Sequence, residues 1–275
     1  MLWSSSSSLL LLLLLSIPQL PVVEAVVVFS AIQEAIITST TRSMTLPIPT
    51  ILSLLESHPL QLDDYAYGTA GFRYAATVMG PVMVRVGLVA RLLLDAQPQQ
   101  QARNMGVMIT ASHNDESYNG VKISNPDGSM IGPDQEALLV QWVNERNLDT
   151  WKEKLEQLAS QPSSTATTTT IGSLHVGRDT RSHSLEFANL LIQAAEAMAI
   201  PIINHGIVTT PMLHHVVLYS NTANGSIGPT PLASRQGYLQ QLAQAYVELD
   251  QLLVVVQPPN SGGGLPPLQV DGACG

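Results

Sequence analysis

Charge and cysteine are both scarce in these 275 residues. Only 12% are Asp, Glu, Lys or Arg, about half the usual share for a soluble globular chain. The 12 Lys and Arg are outnumbered by 21 Asp and Glu, for a formal net charge of −9. A generic binder of nucleic-acid backbone needs clustered cations, so the electrostatics have the wrong sign for that class. The one cysteine, Cys274, stands next to the last residue. It permits neither an intrachain disulfide nor a cysteine-based metal site, and it favours a reducing compartment. The leucine run Leu9 to Leu15 has seven residues, far short of the roughly twenty that a membrane-spanning helix needs. Neither a Walker loop nor a Rossmann glycine fingerprint is present. The length is what one large domain or two modest ones require.

Residues 1–42 differ in character from the rest and read as a leader or low-complexity extension. After the leucines come Pro18, Pro21 and then Ala25, with Val23 two positions before it, the pattern of an apolar region and cleavage site in a signal peptide. No Lys or Arg precedes the run, and a mistaken translation start that appends such sequence explains it equally well. The expected compartment is cytoplasmic, or the secretory pathway if residues 1–25 act as a signal.

From about Ser43 to residue 257 short apolar runs alternate with long periodic ones. Pro81 to Asp95 carries Met83, Val86, Ala90, Leu93 and Leu94 at helical spacing, and Pro81 suits a first helical turn. Met105 to Thr110 reads as a buried strand with Gly120 to Ser124 as its partner or neighbour. Pro133 to Leu158 is helical, with a break near Asn147. The Ser- and Thr-rich stretch 160–173 cannot bury enough apolar surface to order itself and reads as a loop. Leu174–Gly177, a helix from Ser184 to Ala199, and Ile200–Asn204 form a strand–helix–strand unit, which favours parallel pairing. Helices follow over Met212–Tyr219 and Tyr238–Val254, the latter with Leu239, Leu242, Ala243, Tyr246 and Leu253 along one stripe. Residues 258–275 read as a linker and the opening of a further strand at Leu268–Asp271.

Three segments carry chemistry. Thr110-Ala-Ser-His-Asn114 sits where an apolar strand ends, a junction that projects a hydroxyl into a cleft, so Ser112 is placed as a nucleophile or phosphate carrier. His113 and Asn114 can hydrogen-bond to a phosphate there, and Lys122 can fold back to the same spot. A polar loop whose serine caps a turn is the competing reading. Tyr67-Gly-Thr-Ala-Gly-Phe-Arg73 combines two glycines, which let backbone approach an anion, with an arginine suited to bidentate phosphate contact. Gly177-Arg-Asp-Thr-Arg181 ends a strand ahead of a helix, where phosphates are often bound. Arg178 is either a phosphate ligand or the partner of Asp179 in fixing the turn. Thr209, Thr210 and Pro211 read as a helix-entry cap. His214 and His215 are adjacent on a helix and so do not share a face for a metal.

YGTAGFR, GVMITASHN, NGVKI with the following Asn125-Pro-Asp-Gly128, VGRDTR and VTTPMLHH occur in this order. Together they resemble the first domain of the α-D-phosphohexomutases, from about Tyr65 to the end. The resemblance implies an α/β fold, a three-layer α/β/α sandwich on a mixed, mostly parallel sheet. It implies a phosphoserine at Ser112 that gives its phosphoryl group to a sugar phosphate and takes one back, by way of a bisphosphorylated sugar. Ser112 through its phosphate would be one ligand of Mg2+, Lys122 an acid or base toward the sugar hydroxyl, and Arg73 a group near the transferring phosphate. Two departures stand out. Asp115 occupies the place where the family motif carries proline, and a carboxylate there repels the charge of a phosphoserine. The family has four domains, and its magnesium loop, sugar-recognition loop and distal phosphate-binding loop have no counterpart here. The chain is thus expected to be a fragment carrying the catalytic-serine domain and inactive alone. A non-catalytic domain that binds a phosphosugar or a partner is the alternative from another class. No nucleic acid or stable membrane span is expected, and the oligomeric state is undefined.

Overall fold

The computed structural model describes residues 46–68, 71–97, 104–160, 172–222 and 232–256. Nearly all of these belong to one compact unit, 46–157 and 166–275. Of the other, 1–45 and 158–165, only the end of one helix is described. The leader, the bulk of the Ser/Thr-rich stretch, the linker with its following strand, and Cys274 lie outside the described residues.

Five strands form one sheet. They are β1 (Phe72–Ala75), β2 (Met105–Ile109), β3 (Tyr118–Ser124), β4 (Leu174–Arg178) and β5 (Ile202–Ile207), in the spatial order β1-β3-β2-β4-β5. β3 runs antiparallel to both neighbours, whereas β2, β4 and β5 pair in parallel. Four of the five strands therefore point the same way, which is the mixed, mostly parallel sheet expected. The parallel core strands β2 and β4 read as apolar runs without alternation because helices cover both faces.

Seven helices accompany the sheet: α1 (Ile48–Ser57), α2 (Gly80–Asp95), α3 (Pro133–Asn144), α4 (Leu148–Ser160), α5 (Ser184–Ala197), α6 (Thr210–Thr222) and α7 (Arg235–Val256). α2 is buried on every side from Pro81 to Leu94, so the stripe read from its spacing understates it. It crosses α5 closely at Gly87, where a Cβ would press on the Leu191 carbonyl and the Ala194 methyl. On the opposite face, Met108, Val208, Met212, Leu213 and Val217 form a cluster under α6. The break between α3 and α4 falls at Asn147, whose Oδ1 accepts from the Asp149 amide and caps the next helix.

Two sequence expectations need correcting. β5 runs from Ile202 to Ile207, not from Ile200. Met198 and Ile200 both reach back to the Ala195 carbonyl, and Ala199 takes a left-handed φ of 55°, so these residues close α5 instead. The α7 stripe is not a core face: Leu239 and Ala243 are exposed and Leu242 and Tyr246 only half-buried, since this helix packs against α6 mainly through its first turn. Two elements, α1 and β1, have no counterpart in the sequence reading. Among the described residues no helix is long and apolar enough to cross a membrane.

Candidate active site

The β2–β3 connection carries Ser112. β2 ends at Ile109, the Thr110 amide donates to the Gly120 carbonyl, and the loop returns to β3 at Tyr118. Ser112 is half-buried and holds a left-handed φ of 54°, which costs a non-glycine residue about 1 kcal/mol. Its amide is satisfied by Thr110 Oγ1 at 3.0 Å, and the Asn114 amide donates to the Ala111 carbonyl. The serine is thus held in a tight polar turn and not buried as a strand residue.

Register sets the cations. Arg73 on β1 pairs with Gly120, and Lys122 lies two residues further along β3, on the same face of the sheet. The Arg73 guanidinium reaches Asn114 Oδ1 at 3.5 Å, which ties β1 to the serine loop. Burial, and then the charge of Arg73, lowers the pKa of Lys122 below the usual lysine range. On the same side, His214 of α6 lies 2.8 Å through Nδ1 from the Gly128 carbonyl. Its pKa is lowered mainly by burial, with a further contribution from Lys122. His215 points elsewhere, its Nε2 2.8 Å from the Leu232 carbonyl, so the two histidines do not converge. Thr209 Oγ1 accepts from the Met212 amide at 3.4 Å, as a helix-entry cap does.

Two other expected site residues, His113 and Arg178, make no side-chain bond to this cluster. His113 is exposed. Arg178 donates through Nη1 to the Asp179 carbonyl at 3.2 Å, a bond within its own turn. The carboxylate of Asp179 is taken by Arg181, whose Nε is 3.0 Å from Oδ2. That partnership was hidden in the Arg-Asp-Thr-Arg spelling. Arg181 then reaches 69 residues back along the chain: Nη2 donates to the Ser112 and Asn114 carbonyls at 3.0 and 2.9 Å, and Nη1 to the Asp115 carbonyl at 3.0 Å. Ser184 donates to Asp179 Oδ1 and receives a bond from Asn119 of β3 at 2.9 Å, all fully buried. The only sequence signal for this network was the Asp-x-Arg spacing at the end of β4.

Asp115, in the place of the family proline, turns its Oδ1 onto the amide and hydroxyl of Ser117 at 2.9 and 2.6 Å. Those bonds, chiefly the one from the hydroxyl, hold its carboxyl below the usual range; desolvation opposes them, and the Arg181 charge adds the least. The carboxylate is therefore occupied within its own turn.

The family profile described as phosphoglucomutase/phosphomannomutase, alpha/beta/alpha domain I, matches residues 83–150 and 152–227. The chain belongs to the phosphoglucomutase/phosphomannomutase family. Its relatives include the phosphoacetylglucosamine mutases of Homo sapiens, 34% identical over 76% of this chain and 36% of the relative, and of Saccharomyces cerevisiae, 34% identical over 68% and 34%. The structure is similar to that of an Aspergillus fumigatus N-acetylphosphoglucosamine mutase in complex with GlcNAc-6P and magnesium, with a TM-score of 0.61, 29% identity, and 75% of this chain and 37% of that one covered. It is also similar to an N-acetylglucosamine-phosphate mutase of the alpha-D-phosphohexomutase superfamily in its product complex, with a TM-score of 0.59, 30% identity and coverage of 74% and 37%. The chain spans about a third of the length of the relatives it matches.

Proposed function

We propose that residues 43–257 are the phosphoserine-bearing domain of a phosphoacetylglucosamine mutase. Such an enzyme interconverts N-acetylglucosamine 6-phosphate and 1-phosphate in the supply of UDP-N-acetylglucosamine, and its substrate is a phosphorylated amino sugar. The observation that carries this reading is Ser112 at left-handed φ in the β2–β3 loop, beside a face that bears Arg73 and a Lys122 of lowered proton affinity. The named relatives and structural neighbours support the sugar assignment.

In the phosphorylated state the Ser112 Oγ–P bond breaks as the sugar hydroxyl oxygen bonds to phosphorus. Lys122, in its neutral form, takes the hydroxyl proton and passes it to the departing Ser112 oxygen. Arg73 offsets charge on the transferring group, and Asn114 orients that guanidinium. His113, exposed at the loop tip, and Arg178 are the further phosphate donors of this scheme. Once the bisphosphorylated sugar has turned over, its other phosphoryl group returns to the Ser112 oxygen and Lys122 carries the proton back to the sugar oxygen. Magnesium, when bound, offsets charge on the phosphoryl oxygens. Among the described residues no group of three or more His, Cys, Asp or Glu side chains can hold a metal ion. Asp179, hydrogen-bonded to the arginine that clasps the loop, is already occupied. This segment would therefore contribute one ligand, the Ser112 phosphate. The single cysteine and the nucleotide-sugar route favour the cytoplasm as its compartment.

The test is phosphopeptide mass spectrometry on protein purified from its source, together with Ser112→Ala in the natural full-length form. Phosphate on Ser112 and loss of turnover in the variant are expected. Phosphate on another residue, or full turnover in the variant, refutes the reading.

A further inference from the structure

We propose that Arg181 is a positioning residue for phosphoryl transfer, holding the serine loop by its backbone carbonyls so that its amides face an anion. The proposal rests on the phosphoserine reading above. A guanidinium carries five N–H groups in a rigid fork. Here Nε is spent on Asp179, Nη1 on the Asp115 carbonyl, and Nη2 on the Ser112 and Asn114 carbonyls. At most one N–H is left, so Arg181 is a clasp on the loop and not a clamp on phosphate.

The peptides of this loop are trans, and in a planar trans peptide the N–H points opposite to the C=O. Drawing the carbonyls of Ser112, Asn114 and Asp115 toward Arg181 turns the amides of His113, Asp115 and Glu116 to the other side. The remaining amides of the turn are already used: Ser112 on Thr110 Oγ1, Asn114 on the Ala111 carbonyl, Ser117 on Asp115 Oδ1 and Tyr118 on the Asp115 carbonyl. The three N–H groups of His113, Asp115 and Glu116 thus face away from the arginine, ready for the oxygens of a phosphoryl group.

The fork is itself anchored. Asp179 is 1% exposed and sits under Ser184 and Asn119, both fully buried. The orientation of the clasp is therefore inherited from β3 and the start of α5. A lysine keeps the charge but, as a single ammonium, cannot span three carbonyls while bonding Asp179.

Arg181→Lys and Arg181→Ala in the natural full-length protein test this. Both are expected to lower kcat by roughly 10²-fold, the order of losing a preorganised donor, with KM for the sugar phosphate within about threefold. Guanidinium ion should restore part of the rate to the alanine variant. In the 275-residue chain, hydrogen exchange of residues 111–117 should quicken in Arg181→Lys while residues 105–109 stay protected. Wild-type kcat in Arg181→Lys would mean that charge alone suffices and would overturn the proposal, as would unchanged exchange in the loop. Full turnover by Ser112→Ala would overturn the phosphoserine reading instead, and the exchange result on the loop would stand apart from it.

Discussion

Gly120 is a tightly enclosed point of the site. A Cβ built there lies 2.5 Å from the Phe72 carbonyl oxygen, 2.7 Å from Arg73 Cγ and 2.7 Å from the Thr110 carbonyl oxygen. Cβ atoms essentially never approach heavy atoms within 3.0 Å, and two of these three neighbours are backbone. Arg73 Cγ can swing aside, but the carbonyls can retreat only if β1 and the first residue of the serine loop move away from β3. Overpacking of a rigid site typically costs 1–3 kcal/mol, and the backbone contacts put Gly120→Ala at about 2–3 kcal/mol. For an ordered body of this size that corresponds to a fall in melting temperature of roughly 5–10 °C. Gly80→Ala is the control: its Cβ would meet only Leu190 Cδ1 at 3.7 Å, an ordinary contact at the start of α2. Thermal melts followed by circular dichroism on the two variants and the parent compare them directly. A Gly120→Ala protein within 0.5 kcal/mol of its parent would show that β1 is loosely held, and the link from Arg73 through Gly120 to the serine loop would be wrong.

Arg73→Gln removes the charge that, after burial, depresses Lys122. The Lys122 pKa should then rise, and the limb of the kcat–pH profile that increases as Lys122 loses its proton should move to higher pH; an unmoved limb refutes the coupling. His175 of β4 is buried, lies 2.9 Å from His205 Nε2 through its own Nδ1, and has its pKa lowered from 6.5 to about 4 by burial first and His205 second. The unfolded chain therefore binds a proton that the folded chain refuses between those values, and stability falls as pH drops from about 6.5 to 4, by on the order of 3 kcal/mol. Denaturant melts across that range should show a shallower loss for His175→Gln; an equal slope would mean that His175 titrates normally.

The serine loop was legible because an apolar pentad followed by polar residues marks a strand end, and the β4–α5–β5 unit because two apolar runs flank a helix with a regular buried stripe. β1 was not, since its four residues Phe72–Ala75 are short and follow a glycine-rich turn, and only pairing with β3 makes them a strand. α1 carries Ile48, Ile51, Leu52 and Leu55 at helical spacing, a signal that its ten residues keep short and that the sequence reading passed over. The role of Arg181 was hidden for a different reason. Its partners are backbone carbonyls 66 to 69 residues away, and a carbonyl leaves no mark in a sequence. Arg178, a better candidate by spelling, bonds within its own turn, and the fork that reaches across to the serine loop is that of Arg181.

The reversed direction of β3 has a consequence for the order in which the site is built. Ser112 and Lys122 belong to one hairpin, β2–loop–β3, whose closure spans few residues and costs little chain entropy. The clasp on that hairpin comes from beyond β4, which joins β2 only through a long parallel crossover, a slower kind of contact to make. A hairpin formed early carries the serine without the fork that fixes its left-handed turn. The reactive geometry is therefore complete only where β4 has paired with β2, and a β2–β3 hairpin alone presents a serine without its clasp.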